Sequence, residues 1–329
     1  MAFLTPECAD LVLAPDAAKH EWDAVRATGL GGSDVIGAIP GGTRYMTPYR
    51  LWLIKTGRWG GPPQTAAMTR GKVMEDMVAE LWTQNTGMPT VKTGTWRRRD
   101  REHELGNPDR FTEDGGLLEI KTTASVEANA AWIDGGRWTP TLSATCQVQW
   151  YMNVTGASHA YLTLLPAGAD QVFWEIPRDQ PTIDALRVAA ERMWDLIVSD
   201  TPPPVDGSKA TREAITGAYR VGEREETVRD ERLGGLFAER ARLKDELKAP
   251  TEKLGDVENE IKSIMGEASV ALNADGVKVG TWNTHHKTRF DLDAFRDQYP
   301  ELYAQFSSER PERTLRTVKV KPAREPKGV

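Results

Sequence analysis

The stretch that decides the fold is NPDRFTEDGGLLEIKTT, residues 107–123. Two short apolar runs flank the sequence DGG at residues 114–116, a pattern typical of a β-hairpin with a tight turn. Folding at this turn brings Asp109, near the end of one strand, beside Glu119 in the next strand. The sequence therefore predicts two neighbouring carboxylates on a small β-sheet.

Strand geometry adds an ammonium group to this pair. Successive side chains of a strand point to opposite faces, so Glu119 and Lys121 share one face and Ile120 faces the core. With Asp109 folded back beside them, two carboxylates and one ammonium converge on one patch of sheet. The alternative, an exposed Glu–Lys pair on an edge strand, is common and stays open from these residues alone.

Convergent carboxylates suit a hard divalent cation. Oxygen ligands favour Mg²⁺ or Mn²⁺ over zinc, and the main-chain carbonyl of Ile120 lies between the two side chains as a further candidate ligand. A cation held in this way keeps bound water, which can attack a phosphodiester. Lys121 could orient that water or stabilise charge on the phosphate.

The segments around the hairpin predict a mixed α/β (α+β) core, in which helices cover a small central sheet. Apolar spacing and the positions of proline and glycine predict helices over 20–28, 48–57, 69–87, 141–154 and 182–199. Alternating or continuous apolar runs predict strands over 91–99, 105–111, 117–123, 159–165 and 171–176.

A proline-rich segment, SDTPPPVDG at 199–207, predicts a boundary between domains 1–200 and 201–329. The second domain is expected to be a heptad-like helical extension with a small β part. Pro250 interrupts its heptad pattern between Leu233 and Ile264, which predicts two antiparallel helices or one kinked helix. We expect its apolar side to pack within the chain rather than in a dimeric coiled coil. Short strands are expected at 276–282 and 314–320, with a short helix over 291–299.

Charge and composition limit the possible partners and compartments. The net charge of −6 argues against a nucleic-acid partner, but seven basic and two acidic residues lie between Arg310 and Val329, and a second basic cluster spans 97–101. Two cysteines exclude a disulfide framework or a four-cysteine metal site within one chain. No apolar run is long enough for a membrane span, and no signal peptide is evident, so we expect a cytoplasmic protein.

Several ordered motifs share one resemblance. They are WDAVRATGLGGSDVIG at 22–37, RGKVMEDMVAE at 70–80, NPDR at 107–110, LEIK at 118–121 and CQVQWYMNVTG at 146–156. In this order they resemble the phage lambda exonuclease / YqaJ-type viral recombinase family of the PD-(D/E)xK nuclease superfamily. The resemblance covers about residues 20–180 and implies a restriction-endonuclease-like core. One departure is Arg110, which follows Asp109 where family members often have glycine.

The resemblance implies roles at the metal site. Asp109 and Glu119 are similar to the metal carboxylates, with the carbonyl of Ile120 as a further ligand. Lys121 resembles the catalytic lysine. Two residues outside the hairpin complete the catalytic set that the family implies: Glu75, the helix-borne acid, and Gln147, the first glutamine of the Q-V-Q helix.

The resemblance also implies a pocket for the 5′ phosphate, formed by Arg26 and Ser33. The chemistry is sensible because a guanidinium binds phosphate oxygens in a fork and a hydroxyl completes the cradle. The residues alone leave open an ion pair of Arg26 with Asp23 or Glu21 instead.

The activity that the resemblance implies is 5′-to-3′ digestion of linear double-stranded DNA, leaving 3′ single-stranded overhangs for phage-type recombination by strand annealing. It further implies Mg²⁺ (or Mn²⁺) with two ions per site, a phage single-strand annealing protein as partner, and a homo-oligomer, most simply a trimer. Two alternatives stay open. One is another PD-(D/E)xK nuclease, either an endonuclease or a RecB-like enzyme, and the other is a non-catalytic DNA-binding module.

Overall fold

The structure, a computed structural model, describes residues 3–43, 45–219, 227–285, 288–308 and 314–316. Its strands are β1 (Ala9–Leu13), β2 (Thr90–Lys92), β3 (Thr95–Arg98), β4 (Leu105–Gly106), β5 (Arg110–Thr112), β6 (Leu117–Thr122), β7 (Ile133–Asp134), β8 (Arg137–Trp138), β9 (His159–Leu165), β10 (Val172–Pro177), β11 (Val270–Leu272) and β12 (Lys278–Thr281). Its α-helices are α1 (Lys19–Ala27), α2 (Gly32–Ala38), α3 (Pro48–Lys55), α4 (Ala66–Thr86), α5 (Leu142–Thr155), α6 (Gln180–Val198), α7 (Lys209–Ala218), α8 (Arg232–Met265), α9 (Leu292–Gln298) and α10 (Pro300–Phe306).

The main sheet has five strands in the order β10-β9-β6-β5-β2. Strands β6 and β9 run parallel, and the other neighbouring pairs are antiparallel. A parallel pair needs a crossover connection, and here the helix α5 lies between β6 and β9 in the chain. The predicted mixed α/β core, with a central sheet flanked by helices, is confirmed.

Alternating residues of β6 bury against different helices. Leu118 and Ile120 pack with Val78 and Trp82 of α4, and all four side chains are buried. Leu117 belongs to the larger core cluster, which includes α5 residues. The prediction that Ile120 faces the core is therefore confirmed, and the side chain of Glu119 is left to the α5 side of the strand.

Two predicted strands, 91–99 and 105–111, are each split between two sheets. Residues 91–99 form β2 of the main sheet and β3 of a separate sheet with the order β1-β3-β4. The break lies at Gly94, where a Cβ atom would come within 1.9 Å of the carbonyl oxygen of Leu13. The second stretch divides into β4 and β5 around Pro108, whose missing N–H interrupts a ladder of hydrogen bonds.

Glycines and a proline set the ends of the helices much as the sequence predicts. Helix α4 ends at Gly87 and α5 at Gly156, both in the left-handed conformation, with φ of 73° and 80°. Pro48 occupies the first position of α3. The short helix α2 and the helix α7 carry no comparable pattern, and the sequence analysis did not predict them.

The chain divides into two compact units, Met1–Tyr219 and Arg220–Val329. The first unit extends past the boundary predicted after residue 200 because α7 packs against α3. A buried hydrogen bond of 2.7 Å joins the hydroxyls of Thr47 and Thr211 across this contact. The proline-rich segment is thus a connection within the first unit.

The second unit contains the long helix α8, the β11–β12 hairpin and two short helices. These elements agree with the predicted extension, which has a helical part and a small β part. Helix α8 is a single element with Pro250 inside it, and none of its residues is buried. The expectation that its apolar side packs within the chain stays a prediction. Most of the basic tail, and the expected strand at 314–320 beyond residue 316, lie outside the described residues. No described helix is both long and apolar enough to cross a membrane.

Candidate active site

The β5–β6 hairpin brings the two predicted carboxylates together. Its register pairs Arg110 with Leu118, and continuing this register places Asp109 opposite Glu119. The connecting turn contains Gly115 at a φ of 85°, a conformation that favours glycine. Asp109 is fixed by its Oδ2 atom, which accepts a hydrogen bond of 2.7 Å from the backbone N–H of Ile120. The predicted hairpin is confirmed.

Lys121 and Gln147 hold the Glu119 carboxylate from two directions. The Oε1 atom of Glu119 lies 2.5 Å from Nζ of Lys121 and accepts a hydrogen bond of 2.7 Å from Nε2 of Gln147. The same lysine donates to Oε1 of Gln147 at 2.9 Å. Gln147 reaches the strand from α5, so the structure brings four of the sequence-predicted residues, including Asp109, into one cluster.

Like charges are concentrated in this cluster. Desolvation raises the pKa of Asp109 well above its usual value, and the negative charges of Glu119 and Glu75 raise it further. Burial also raises the pKa of Glu119, against the opposing effect of Lys121. Burial alone would lower the pKa of Lys121, but the charges of Glu119 and Asp109 raise it, so this side chain remains an ammonium. The cluster carries more negative charge than its lysine balances.

One oxygen of Glu119 has no partner among the described residues. The residue is only 3% exposed, and its Oε2 atom is buried without a hydrogen bond. A buried, unsatisfied carboxylate oxygen is costly and calls for a cation or water. Beside Asp109 it offers carboxylate oxygens, the type of ligand that hard divalent cations prefer. Among the described residues, however, no group of three or more acidic, histidine or cysteine side chains is already arranged around a common metal position.

Glu75 reaches the site from α4 and is held by Arg110. Its Oε1 atom accepts a hydrogen bond of 2.8 Å from Nη1 of the arginine, which is buried. The charge of Glu75 is close enough to raise the pKa of Asp109. The predicted helix-borne acid therefore lies beside the cluster, although it makes no direct hydrogen bond to Asp109 or Glu119.

Arg26 and Ser33 lie together, as the resemblance implies. The Nη2 atom of Arg26 donates to Oγ of Ser33 at 3.2 Å and to Oδ1 of Asp34 at 2.7 Å. The alternative ion pairs are absent, because Asp23 pairs with Lys19 in α1 and Glu21 accepts a hydrogen bond from the N-cap of α1.

A buried ion pair that the sequence analysis missed supports Arg26. Lys55 and Asp34 are both nearly inaccessible and lie 2.8 Å apart. Lys55 also donates to the backbone carbonyls of Arg26 and Gly29 at 2.8 and 2.7 Å. Although burial opposes its ionisation, the charges of Lys55 and Arg26 lower the pKa of Asp34 to about 2. Lys55 is distant in sequence, so no local pattern could have identified it.

One cavity of about 210 Å³ connects the two groups of residues. Its walls contain Arg26 and Ser33 as well as Asp109, Glu119 and Gln147.

Tyr151, a further wall residue, was not predicted. Its hydroxyl accepts a hydrogen bond of 2.9 Å from Gln147, which lies four positions earlier on α5, and this helical spacing could have identified it. Its ring packs so closely on Gly32 that a Cβ atom there would lie 2.5 Å from the ring.

The second basic cluster, residues 97–101, is largely neutralised. Arg98 pairs with Asp100, Arg99 pairs with Asp10, and Arg101 pairs with Glu191. Gln149 does not line the cavity; its side chain donates to the carbonyl of Pro177 and accepts from the N–H of Asp179.

The repulsion around Asp109 predicts that Asp109→Asn stabilises the metal-free chain at pH 7. A raised pKa means that the ionised carboxylate costs folding free energy at pH values above its usual range, and the neutral amide removes this cost. We expect a rise in melting temperature of about 2–4 °C for each kcal/mol gained.

Asp114→Asn is the matched control. The Asp114 carboxylate accepts hydrogen bonds from Thr112, Gly116, His159 and Tyr161, and these donors lower its pKa to about 2 despite partial burial. Its stabilising effect is present at neutral pH and disappears as the pH falls towards 2, so this variant should melt lower than the native chain at pH 7. A lower melting temperature for Asp109→Asn as well would contradict the assigned repulsion.

Residues 21–158 match the model of the YqaJ-like viral recombinase domain. YqaJ of Bacillus subtilis (strain 168), an uncharacterized protein, is 29% identical over 306 residues, which cover 89% of this chain and 92% of that protein. That similarity extends beyond the first unit into the second.

Among solved structures, an alkaline exonuclease from Laribacter hongkongensis is similar at 20% identity and a TM-score of 0.47, covering 56% of this chain and 94% of that one. A phage-related exonuclease from Haemophilus somnus 129PT is similar at 13% identity and a TM-score of 0.40, covering 54% and 99% respectively. The motifs, the mixed core and the family match agree on one point: residues 21–158 of this chain match the YqaJ-like viral recombinase domain.

Proposed function

We propose that this protein is a metal-dependent exonuclease that digests linear double-stranded DNA from the 5′ end and leaves 3′ single-stranded overhangs. The observation that carries the proposal is that Arg26 and Ser33 line the same cavity as Asp109 and Glu119. A volume of about 210 Å³ suits a few groups of a nucleotide rather than a duplex. The family match to viral recombinases supports a role in recombination by strand annealing.

In this proposal Arg26 and Ser33 bind the 5′ phosphate. The guanidinium already donates to Asp34 and Ser33 with one nitrogen, Nη2, and its other N–H groups remain for phosphate oxygens. Because Lys55 and Asp34 hold the arginine and its backbone, little freedom is lost when the phosphate binds. A strand end fixed there would place its next phosphodiester towards Asp109 and Glu119.

Asp109 and Glu119, with the main-chain carbonyl of Ile120, would hold Mg²⁺ or Mn²⁺. A bound divalent cation supplies a nucleophilic water at neutral pH and neutralises charge on the phosphate. We propose two ions per site, because Glu75 adds a third carboxylate to a cluster that is already short of positive charge. Glu119 is held in place by Gln147, and Lys121, the ammonium that contacts the same carboxylate, would stabilise negative charge on the phosphate.

Double-stranded DNA is the proposed substrate, and a phage single-strand annealing protein is the proposed partner that receives the product. We further propose a homo-oligomer, most simply a trimer. Enclosure of DNA by several copies would retain a polyanion on a chain of net charge −6 whose second basic cluster is occupied by acidic partners. A RecB-like nuclease is the related alternative.

The proposal predicts that a linear duplex is degraded in the presence of Mg²⁺ and that a closed circular duplex of the same sequence is not. Asp109→Ala and Lys121→Ala should each lower the rate by at least about 100-fold, because they remove a cation ligand and the ammonium at the phosphate. Gel electrophoresis of both substrates measures this directly. Equal cutting of the circle would favour an endonuclease, and undiminished activity of Asp109→Ala would exclude this site.

Arg26→Ala should mainly remove the preference for 5′-phosphorylated ends. Loss of one charge-assisted phosphate contact is expected to raise KM for phosphorylated ends by about 10- to 100-fold, with little change for 5′-hydroxyl ends. Arg99→Ala is the matched control, since Arg99 is exposed and pairs with Asp10 away from the cavity. An equal loss on both kinds of end would contradict the phosphate role.

A further inference from the structure

Arg110 occupies an unusual position between helix α4 and strand β5. Its side chain is 5% exposed, and its guanidinium makes three contacts. The Nη1 atom donates to Oε1 of Glu75 at 2.8 Å and to the backbone carbonyl of Asp109 at 2.6 Å, and Nη2 pairs with Asp76. One buried cation therefore links an acid of the helix to the backbone of the metal-site strand.

These contacts restrict Glu75. Its side chain is 33% exposed and lies on a helix, where a glutamate without a partner samples several rotamers at little cost. Arginine is suited to this role because its planar fork binds several acceptors in fixed directions, which the single ammonium of lysine cannot do. Only Oε1 of Glu75 is used, and its Oε2 atom has no hydrogen-bond partner among the described residues.

The link brings the helix acid close to the strand that carries Asp109. One atom, Nη1 of Arg110, contacts both Oε1 of Glu75 and the backbone carbonyl oxygen of Asp109, so these two oxygens lie no more than two hydrogen-bond lengths apart. Arg110 is itself positive and reduces the net negative charge near a cation bound at this site. Holding Glu75 in place would strengthen cation binding, whereas the positive charge of Arg110 would weaken it. Because the two effects on cation affinity are opposite in sign, an experiment can separate them.

We infer that Arg110 is a positioning residue, which holds Glu75 towards Asp109 and Glu119 so that the third carboxylate strengthens cation binding. This inference rests on the proposed metal-dependent function.

The test is Mn²⁺ binding to the full chain in the absence of DNA, measured by calorimetry. Arg110→Ala should weaken binding by about 10- to 100-fold, the loss typical when a group that orients a metal ligand is removed. If the arginine acted only through its charge, the same variant would bind Mn²⁺ more tightly. Unchanged or tighter binding would overturn the inference.

A double-mutant cycle with Glu75→Gln identifies the route. If Arg110 acts through Glu75, Arg110→Ala should change Mn²⁺ affinity by less than about twofold in the Glu75→Gln background. A loss as large in both backgrounds would overturn the inference. Asp76→Asn is the matched control, because it removes a carboxylate partner of Arg110 and leaves Glu75 in place. We expect it to change affinity by less than about threefold.

Arg110→Lys keeps the experiment decisive if the alanine variant does not fold. Lysine retains the charge but cannot hold Glu75 and Asp109 in the same geometry, so affinity should still fall, and native affinity would contradict the inference. Failure of the native chain to bind Mn²⁺ would contradict the proposed metal site itself. Native binding that Arg110 variants leave unchanged would contradict only the role of Arg110.

Discussion

The rest of the site depends on one constraint, the register of the β5–β6 hairpin, which forces Asp109 and Glu119 to lie side by side. Burial raises the pKa of both carboxylates, and the charge of Glu119 raises that of Asp109 further, so ionising both groups in this poorly solvated position is costly. The Ile120 N–H, Lys121 and Gln147 offset part of this cost. The remaining cost is what a bound cation would relieve, so strain in the cation-free chain and affinity for a cation have the same origin.

A buried network of ion pairs holds part of the cavity wall beside this pair in place. Asp34 is ionised in the interior because two cations, Lys55 and Arg26, face it. Removing one partner of such a buried network leaves an uncompensated charge, so the three groups maintain each other's positions. The guanidinium of Arg26, which we propose to bind phosphate, is consequently held in place in the wall of the same cavity that Asp109 and Glu119 line.

Much of this arrangement could be predicted from local sequence. Strand alternation placed Ile120 in the core and Glu119 beside Lys121, and the turn glycines fixed the hairpin. What could not be predicted depends on contacts between distant segments. The pairing of Lys55 with Asp34, the target of Arg110 and the break at Gly94 against Leu13 are all set by tertiary packing.

Two other features show the limits of pattern reading. The proline-rich segment is a connection within the first unit rather than its end, because α7 still packs on α3 through Thr211. The apolar spacing of α8 correctly indicated a helix, but this spacing alone does not fix what the helix packs against, since the same pattern fits a packed helix and an exposed one.

The direction of digestion tests the central claim most directly. The substrate is a linear duplex in which one strand is labelled at its 5′ phosphate and the complementary strand is labelled at its 3′ end. Both labels lie at the same terminus of the duplex, so the fate of each strand there can be followed separately. With Mg²⁺, the account predicts early release of the 5′ label as a mononucleotide while the 3′ label stays on a long single strand. Early release of the 3′ label, or its appearance on short internal fragments, would contradict it.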